Sequence, residues 1–155
     1  MTNEEQTKIE RRKILVVDDL AEVNIVASHH NDLFDYVMPI IEECKYGPRL
    51  KEFSYTEVER LLKEVPYKAI LLDGDLHLRS EGIVTGEFGS DGSFISYRLR
   101  NGNYGELNKQ TPIYSISSTF GMIQRNFISG ELFKPNNERN LDRVMQELKK
   151  DGVLE

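Results

Sequence analysis

The stretch KILVVDD, residues 13–19, places four consecutive apolar residues directly before two carboxylates. The same arrangement recurs along the chain, with a polar residue after each apolar run: residues 69–72 before Asp73, residues 113–116 before Ser117, and residues 132–133 before Lys134 and Pro135. Near-continuous apolar runs of this length are typical of strands that are covered on both faces, as in a parallel sheet between helices.

Helical patterns lie between these runs. Apolar residues at 141, 144, 145 and 148 follow helical spacing behind Asn136 and Asn137, and residues 54–57 have the spacing of a capping box. A further helix is predicted around residues 93–100. Residues 23–44 read as mostly helical with a break at Pro39, and residues 50–53 as a weak strand. This alternation predicts an α/β fold with a doubly wound, five-stranded parallel sheet and helices on both faces.

The segment from Gly74 to Asp91 breaks the pattern. Beyond Gly74 it contains glycines at positions 82, 86 and 89, and it is long for a connection inside a compact domain. Loops of this length are often functional or mobile.

The composition predicts one globular domain. We expect a polar extension over residues 1–12, a domain over residues 13–150 and a tail over residues 151–155, because 155 residues fill a single core. A net charge of −6 disfavours binding to nucleic acid or to anionic membranes. The single cysteine, Cys44, is predicted to pack within a helix, and its lack of a partner favours a reducing compartment. The absence of a signal peptide and of a long apolar run completes the expectation of a cytoplasmic protein.

Polar residues end each predicted strand, and carboxyl ends of parallel strands meet at one edge of a sheet. Asp18, Asp19, Asp73, Ser117 and Lys134 should therefore converge. Three carboxylates held together repel one another, and a hard divalent cation such as Mg²⁺ relieves that repulsion. One carboxylate can act as a nucleophile toward phosphorus, while an ammonium and a hydroxyl neutralise and orient the phosphoryl group.

Four motifs resemble the response-regulator receiver domain, the CheY-like family of two-component phosphorelays, in the order of that family: KILVVDD at 13–19, AILLD at 69–73, TPIYSISS at 111–118 and GELFKP at 130–135. The resemblance covers roughly residues 12–150 and implies a flavodoxin-like strand order, 2-1-3-4-5. It further implies roles for the residues: Asp73 as phosphoacceptor, Asp18 and Asp19 as the Mg²⁺-binding pair, the backbone carbonyl of Asp75 as a further metal ligand, Ser117 as the switch hydroxyl, and Lys134 as the phosphate-contacting lysine.

Three features depart from the family pattern. His77 stands where a proline is usual, and Glu131 occupies the position of the switch aromatic residue. Lys134 comes only 17 positions after Ser117, so the fourth helix is predicted to be shortened or remodelled. The histidines lack partners at ligand spacing and are interpreted as ordinary helix or loop residues.

The resemblance implies a single-domain response regulator that is phosphorylated by a sensor histidine kinase or a phosphotransfer protein and signals to a downstream protein target. No enzymatic activity is expected beyond self-phosphorylation and self-dephosphorylation. Two alternatives stay open. The first is a receiver-like adaptor that is never phosphorylated. The second is an aspartyl-phosphate phosphatase of the haloacid dehalogenase type, because residues 73–75 resemble that nucleophile motif, although the acidic pair comes first here.

Overall fold

The computed structural model describes residues 9–155 and contains a five-stranded parallel sheet and a separate two-stranded antiparallel pair. The strands are β1 (Lys13–Val17), β2 (Phe34–Tyr36), β3 (Ile40–Cys44), β4 (Gly47–Glu52), β5 (Tyr67–Leu72), β6 (Ile113–Ser115) and β7 (Gly130–Glu131). The helices are α1 (Ala21–Ser28), α2 (Tyr55–Glu64), α3 (Asp91–Arg100) and α4 (Glu138–Lys150). The strand order of the five-stranded sheet is β2-β1-β5-β6-β7. If its strands are numbered 1 to 5 along the chain, leaving out the separate β3–β4 pair, this order is 2-1-3-4-5. The predicted fold class is therefore confirmed.

Side chains alternate across the sheet and build one apolar core on each face. Leu15 and Val17 point toward α2 and α3, whereas Ile14 and Val16 point toward α1 and α4. Burying each such side chain contributes about 1.5–3 kcal/mol relative to leaving it exposed. This double coverage explains why the strands read as continuous apolar runs, and it confirms helices on both faces.

Capping side chains fix where two of the predicted helices begin. The Ser54 hydroxyl accepts a hydrogen bond from the Glu57 backbone N–H at the start of α2, as the capping-box spacing predicted. The side chain of Asn137 accepts from the Asn140 N–H at the start of α4. Such caps satisfy N–H groups that have no partner inside the helix. The helix predicted at residues 93–100 is confirmed as α3.

The prediction of a mostly helical segment over residues 23–44 is wrong beyond Ser28. β2 follows α1, and β3 then pairs with β4 in an antiparallel hairpin that turns at residues 45–46, directly before Gly47, whose φ is +110°. β-Branched isoleucines and the proline at position 39 favour this extended backbone. Residues 50–53 overlap β4, so this strand does not belong to the main sheet. Cys44 lies in the hairpin, where its thiol donates to the Gly47 carbonyl, and not in a helix.

The last strand of the sheet is β7, which begins two residues before the apolar run at 132–133 that the sequence analysis took as the strand. Gly130 pairs with Tyr114 and Glu131 pairs with Ser115. Leu132 still donates its N–H to the Ser115 carbonyl and is buried, whereas Phe133 is 55% exposed. The helix expected before this strand is reduced to a 3₁₀ turn, Arg125–Phe127, which agrees with the predicted remodelling.

The end of the predicted N-terminal extension contacts the domain. Residues 1–8 lie outside the described residues, but the Arg11 guanidinium donates to the carbonyls of Tyr67 and Leu107 and to the side chain of Asn108. Arg11 therefore anchors the chain just before β1. Over residues 9–155, none of the helices is long and apolar enough to cross a bilayer.

Gly92 provides a test of the packing around Asp73. A Cβ at Gly92 would lie 2.7 Å from the Ile123 side chain and 2.8 Å from the Asp73 carbonyl oxygen. We expect Gly92→Ala to lower the free energy of unfolding by about 1–2 kcal/mol, because this overpacking outweighs the gain in helix propensity. Gly86→Ala is the matched control, since a Cβ there meets nothing within 4 Å, and its effect should stay within about 0.5 kcal/mol. Equal urea midpoints for the two variants would contradict the packing described here.

Candidate functional site at the carboxyl edge of the sheet

Three carboxylates meet where β1 and β5 end. Asp18 and Asp19 follow β1 directly, and Asp73 follows β5, with its N–H bonded to the Val17 carbonyl at 2.9 Å. Each carboxylate offers an oxygen, and these oxygens all lie within 4.8 Å of one another. The parallel register of the two strands therefore brings together residues that are more than fifty positions apart in the chain.

Lys134 bridges two of the three carboxylates. Its Nζ lies 3.0 Å from Asp18 Oδ2 and 3.3 Å from Asp73 Oδ2. The other oxygen of Asp18 accepts the Leu20 N–H at 2.8 Å, which begins the turn into α1. Asp18 has no solvent exposure and Asp73 is 5% exposed, so this ion-pair network is largely removed from water.

Burial and mutual repulsion shift the protonation equilibria of this cluster. Burial, followed by the charge of Asp73, raises the pKa of Asp18 to about 7. Burial also raises the pKa of Asp19. Burial would lower the pKa of the Lys134 ammonium, but the charges of Asp18 and Asp73 outweigh it and raise that pKa. One ammonium does not neutralise three carboxylates, so the site favours a further positive charge.

Ser117 follows β6, which lies next to β5 on the side away from β1. Its hydroxyl oxygen accepts the Gly74 N–H at 2.7 Å and is itself buried. A cavity of about 360 Å³ opens here and is lined by Asp19, Asp73, Asp75, His77, Ser117 and Lys134, together with Leu20, Ser118, Thr119 and Met122. All the residues that the sequence selected for the site therefore border one cavity, except for Asp18, which lies buried beneath it. Their individual roles stay predictions.

Two of the histidines contact carboxylates that are distant in the sequence. His77 forms a close hydrogen bond with Asp19 through its Nδ1, and His30 Nε2 lies 2.8 Å from a Glu138 oxygen. The contact with Asp19 raises the pKa of His77. Sequence spacing could not reveal the His77 contact, because its partner lies 58 positions away.

Two solved structures share this architecture over nearly the whole chain. The chemotaxis response regulator CheY4 of Vibrio cholerae aligns with a TM-score of 0.55 and 18% identity, covering 94% of this chain and 100% of that one. A CheY-like response regulator receiver domain from Methylobacillus flagellatus aligns with a TM-score of 0.56 and 16% identity, covering 90% and 99%. This chain has the fold of CheY-like receiver domains. The sequence matches no protein-family model and no curated protein.

The donors at this edge of the receiver fold suit Mg²⁺. Hard cations prefer oxygen ligands, and the cluster of Asp18, Asp19 and Asp73 offers only carboxylate oxygens at close range. Burial raises the pKa of Asp18 and that of Asp19, and the neighbouring Lys134 and His77 do not fully offset this effect. Asp75 is exposed and borders the cavity, and its assignment as a backbone ligand stays a prediction.

Glu131, at the position of the switch aromatic residue, has found a polar partner. Its carboxylate accepts the Gly121 N–H at 2.6 Å, so the side chain secures the connection between β6 and β7. An aromatic ring could not form this hydrogen bond. The connection between β6 and β7, residues 116–129, therefore contains the 3₁₀ turn Arg125–Phe127 and no α-helix, and position 131 carries a carboxylate in place of an aromatic ring.

The connection between β5 and α3 is an organised loop that sequence patterns did not resolve. Buried Asp91 accepts the Leu76 N–H and the Thr85 hydroxyl, which hold both arms of the loop. A cavity of about 960 Å³ lies under it and shares Asp75, His77 and Met122 with the cavity at Asp73. In the sequence, Asp91 stands directly before the predicted helix at residues 93–100, and this position could have indicated its contacts with the loop. It was interpreted only as the end of the loop.

Replacing Asp18 should stabilise the metal-free protein at neutral pH. A carboxyl whose pKa is higher in the folded state contributes stability below its unfolded pKa, near 4, and loses it as the pH rises toward about 7. In EDTA at pH 7.5, we expect Asp18→Asn to raise the melting temperature by about 3–8 °C, equivalent to roughly 1–2 kcal/mol. The gain should shrink at pH 4, where Asp18 is protonated.

The exposed carboxylate of Asp75 supplies the control for this measurement. Asp75→Asn removes the same charge from the rim of the cavity, so its melting temperature should follow the wild type at both pH values. A stabilisation by Asp18→Asn that is equally large at pH 4 and pH 7.5 would contradict the electrostatic explanation.

Proposed function

We propose that this chain is a phospho-accepting receiver domain that takes a phosphoryl group on Asp73 in the presence of Mg²⁺ and signals by protein contact. The observation that supports the proposal is the close arrangement of Asp18, Asp19 and Asp73 with Lys134 at the carboxyl edge of a receiver fold. Ser117, on the opposite side of Asp73, supplies the hydroxyl that such chemistry needs.

The residues fit the steps of phosphoryl transfer. One oxygen of Asp73 contacts Lys134, so the other can attack phosphorus. The bond from phosphorus to the donor breaks, and its electron pair leaves with the donor, as acetate from acetyl phosphate or as imidazole from a phosphohistidine. Lys134 neutralises charge on the transferred group, and the Ser117 hydroxyl donates to it. When bound by Asp18, Asp19 and Asp73, the cation supplies further charge neutralisation.

The partners follow from this chemistry. The phosphoryl donor is a sensor histidine kinase or a phosphotransfer protein, and the signal passes to a downstream protein target in a two-component phosphorelay. We place this exchange in the cytoplasm, and the net charge of −6 argues against nucleic acid or anionic membrane as the target.

Asp73 should be the site of phosphorylation. With acetyl phosphate and Mg²⁺, intact-mass spectrometry is expected to show one added phosphoryl group on the wild type and none on Asp73→Asn, because an amide is not a nucleophile toward phosphorus. EDTA should abolish the gain, since an incoming phosphoryl group would then meet three carboxylates.

Asp75→Asn is the matched control, because it removes a carboxylate two residues away from an exposed position. It should keep the mass gain. A phosphorylated Asp73→Asn variant, or an unphosphorylated Asp75→Asn variant, would overturn the assignment of Asp73.

A phosphorylation-independent adaptor is the second candidate. The observation that favours it is the Glu131–Gly121 hydrogen bond at the place of the switch aromatic residue, together with the missing fourth helix. An adaptor would show no mass gain with any small phosphodonor in Mg²⁺. A phosphatase would instead release inorganic phosphate repeatedly from phosphate esters. The intact-mass measurement and an assay for released phosphate together distinguish the phospho-accepting receiver, the adaptor and the phosphatase.

Activation should act mainly on the loop between β5 and α3. Gly74 bonds Ser117 and also accepts the Gly92 N–H at 2.9 Å, so a phosphoryl group that recruits the Ser117 hydroxyl perturbs both ends of this loop. On adding beryllofluoride and Mg²⁺, we expect hydrogen exchange to change chiefly in residues 76–92 and less in residues 118–131. Asp73→Ala is the control and should not respond. Changes confined to residues 118–131 would refute this location of the switch.

A further inference from the structure

His77 combines an unusual backbone conformation with a contact to the acidic pair. It is the one non-glycine residue with positive φ in the part of the chain that the structure describes, at +55°. Left-handed backbone is costly for most residues with a side chain, so such a position persists where surrounding contacts hold it. The ring lies between the loop and the start of α1, and it borders both the cavity at Asp73 and the larger cavity under the loop.

The carboxylates of the cluster are held from two directions. Lys134 contacts one oxygen of Asp18 and one of Asp73. His77 contacts Oδ2 of Asp19, the carboxylate that Lys134 does not bridge. The Asp19 side chain is 10% exposed, whereas that of His77 is 59% exposed, so the imidazole approaches Asp19 from the solvent side. Asp19 therefore has its orientation set by the loop and not by the sheet.

We propose that His77 is a positioning residue for Asp19 as a ligand of the divalent cation. The inference rests on the proposed function, because it concerns the cation site of the phosphoacceptor. The imidazole holds the carboxylate of Asp19 through Oδ2 and leaves Oδ1 available to the cation. Hydrogen-bond partners of metal ligands commonly change metal affinity by about 10–100-fold when they are removed.

This arrangement has a second consequence, because the same contact connects the cation site to the loop. The backbone of His77 precedes the 3₁₀ turn Leu78–Glu81, and Asp75 accepts its N–H at 3.2 Å. Occupancy of the cation site should therefore reduce exchange in residues 76–82 by way of Asp19 and His77. A receiver fold with proline at this position would lack the connection, since proline has no side chain that can donate to a carboxylate.

The experiment measures Mg²⁺ binding by isothermal titration calorimetry on the full chain. His77→Gly removes the imidazole and tolerates the left-handed backbone without strain, and it should bind Mg²⁺ about tenfold more weakly than the wild type. His77→Asn retains an N–H donor and also tolerates this backbone, so it should recover part of the affinity. His29→Ala removes a comparably exposed histidine that lies against Glu138, and it should bind Mg²⁺ as the wild type does.

A purely structural role for His77 is tested in the same samples. The melting temperature in EDTA should be unchanged or higher in His77→Gly, because the substitution relieves backbone strain, while the Mg²⁺-dependent protection of residues 76–82 should disappear. Wild-type affinity or tighter binding in His77→Gly overturns the positioning role, since the imidazole would then be neutral or compete with the cation for Asp19. A wild type that binds no Mg²⁺ overturns the proposed cation site itself.

Discussion

Three carboxylates share one edge of the sheet with a single lysine. Lys134 bridges Asp18 and Asp73, yet the pKa of Asp18 still stays well above its ordinary range, because burial and the neighbouring carboxylate outweigh the ammonium. The apolar sheet holds the charges in place despite their repulsion. Under the proposed function, this repulsion is stability given up for affinity toward a cation and toward the phosphoryl group that a cation accompanies.

The surroundings of Asp73 transmit changes because they are tightly packed. A Cβ on Gly74 would lie 2.4 Å from Met122 Cβ and 2.8 Å from the Ser117 hydroxyl oxygen. Gln124 donates its backbone N–H to the Ser93 hydroxyl, so the β6–β7 connection also touches the start of α3. Two loops therefore contact each other immediately beside Asp73. In such packing, a small displacement at Ser117 is not absorbed locally.

The departures from the usual receiver pattern affect two connections, the one between β6 and β7 and the one between β5 and α3. A carboxylate at position 131 secures a short connection by bonding the Gly121 N–H, where a longer helix and an aromatic ring would otherwise operate. A histidine at position 77 contacts Asp19 from the neighbouring loop. Both side chains form hydrogen bonds that connect separate segments of the chain.

The sequence by itself determined the parallel sheet, its two apolar faces and the residues at its carboxyl edge, because continuous apolar runs that end in Asp, Ser or Lys are a local signal. It also determined where α2 and α4 begin, since capping is a matter of three or four neighbouring residues. Only the tertiary structure decided the β3–β4 hairpin, which competed with helix over an ambiguous segment, and the contacts of His77, Glu131 and Asp91. His77 and Asp19 are 58 positions apart, Asp91 and Leu76 are 15 apart, and Glu131 and Gly121 are 10 apart, so no local pattern encodes these pairings.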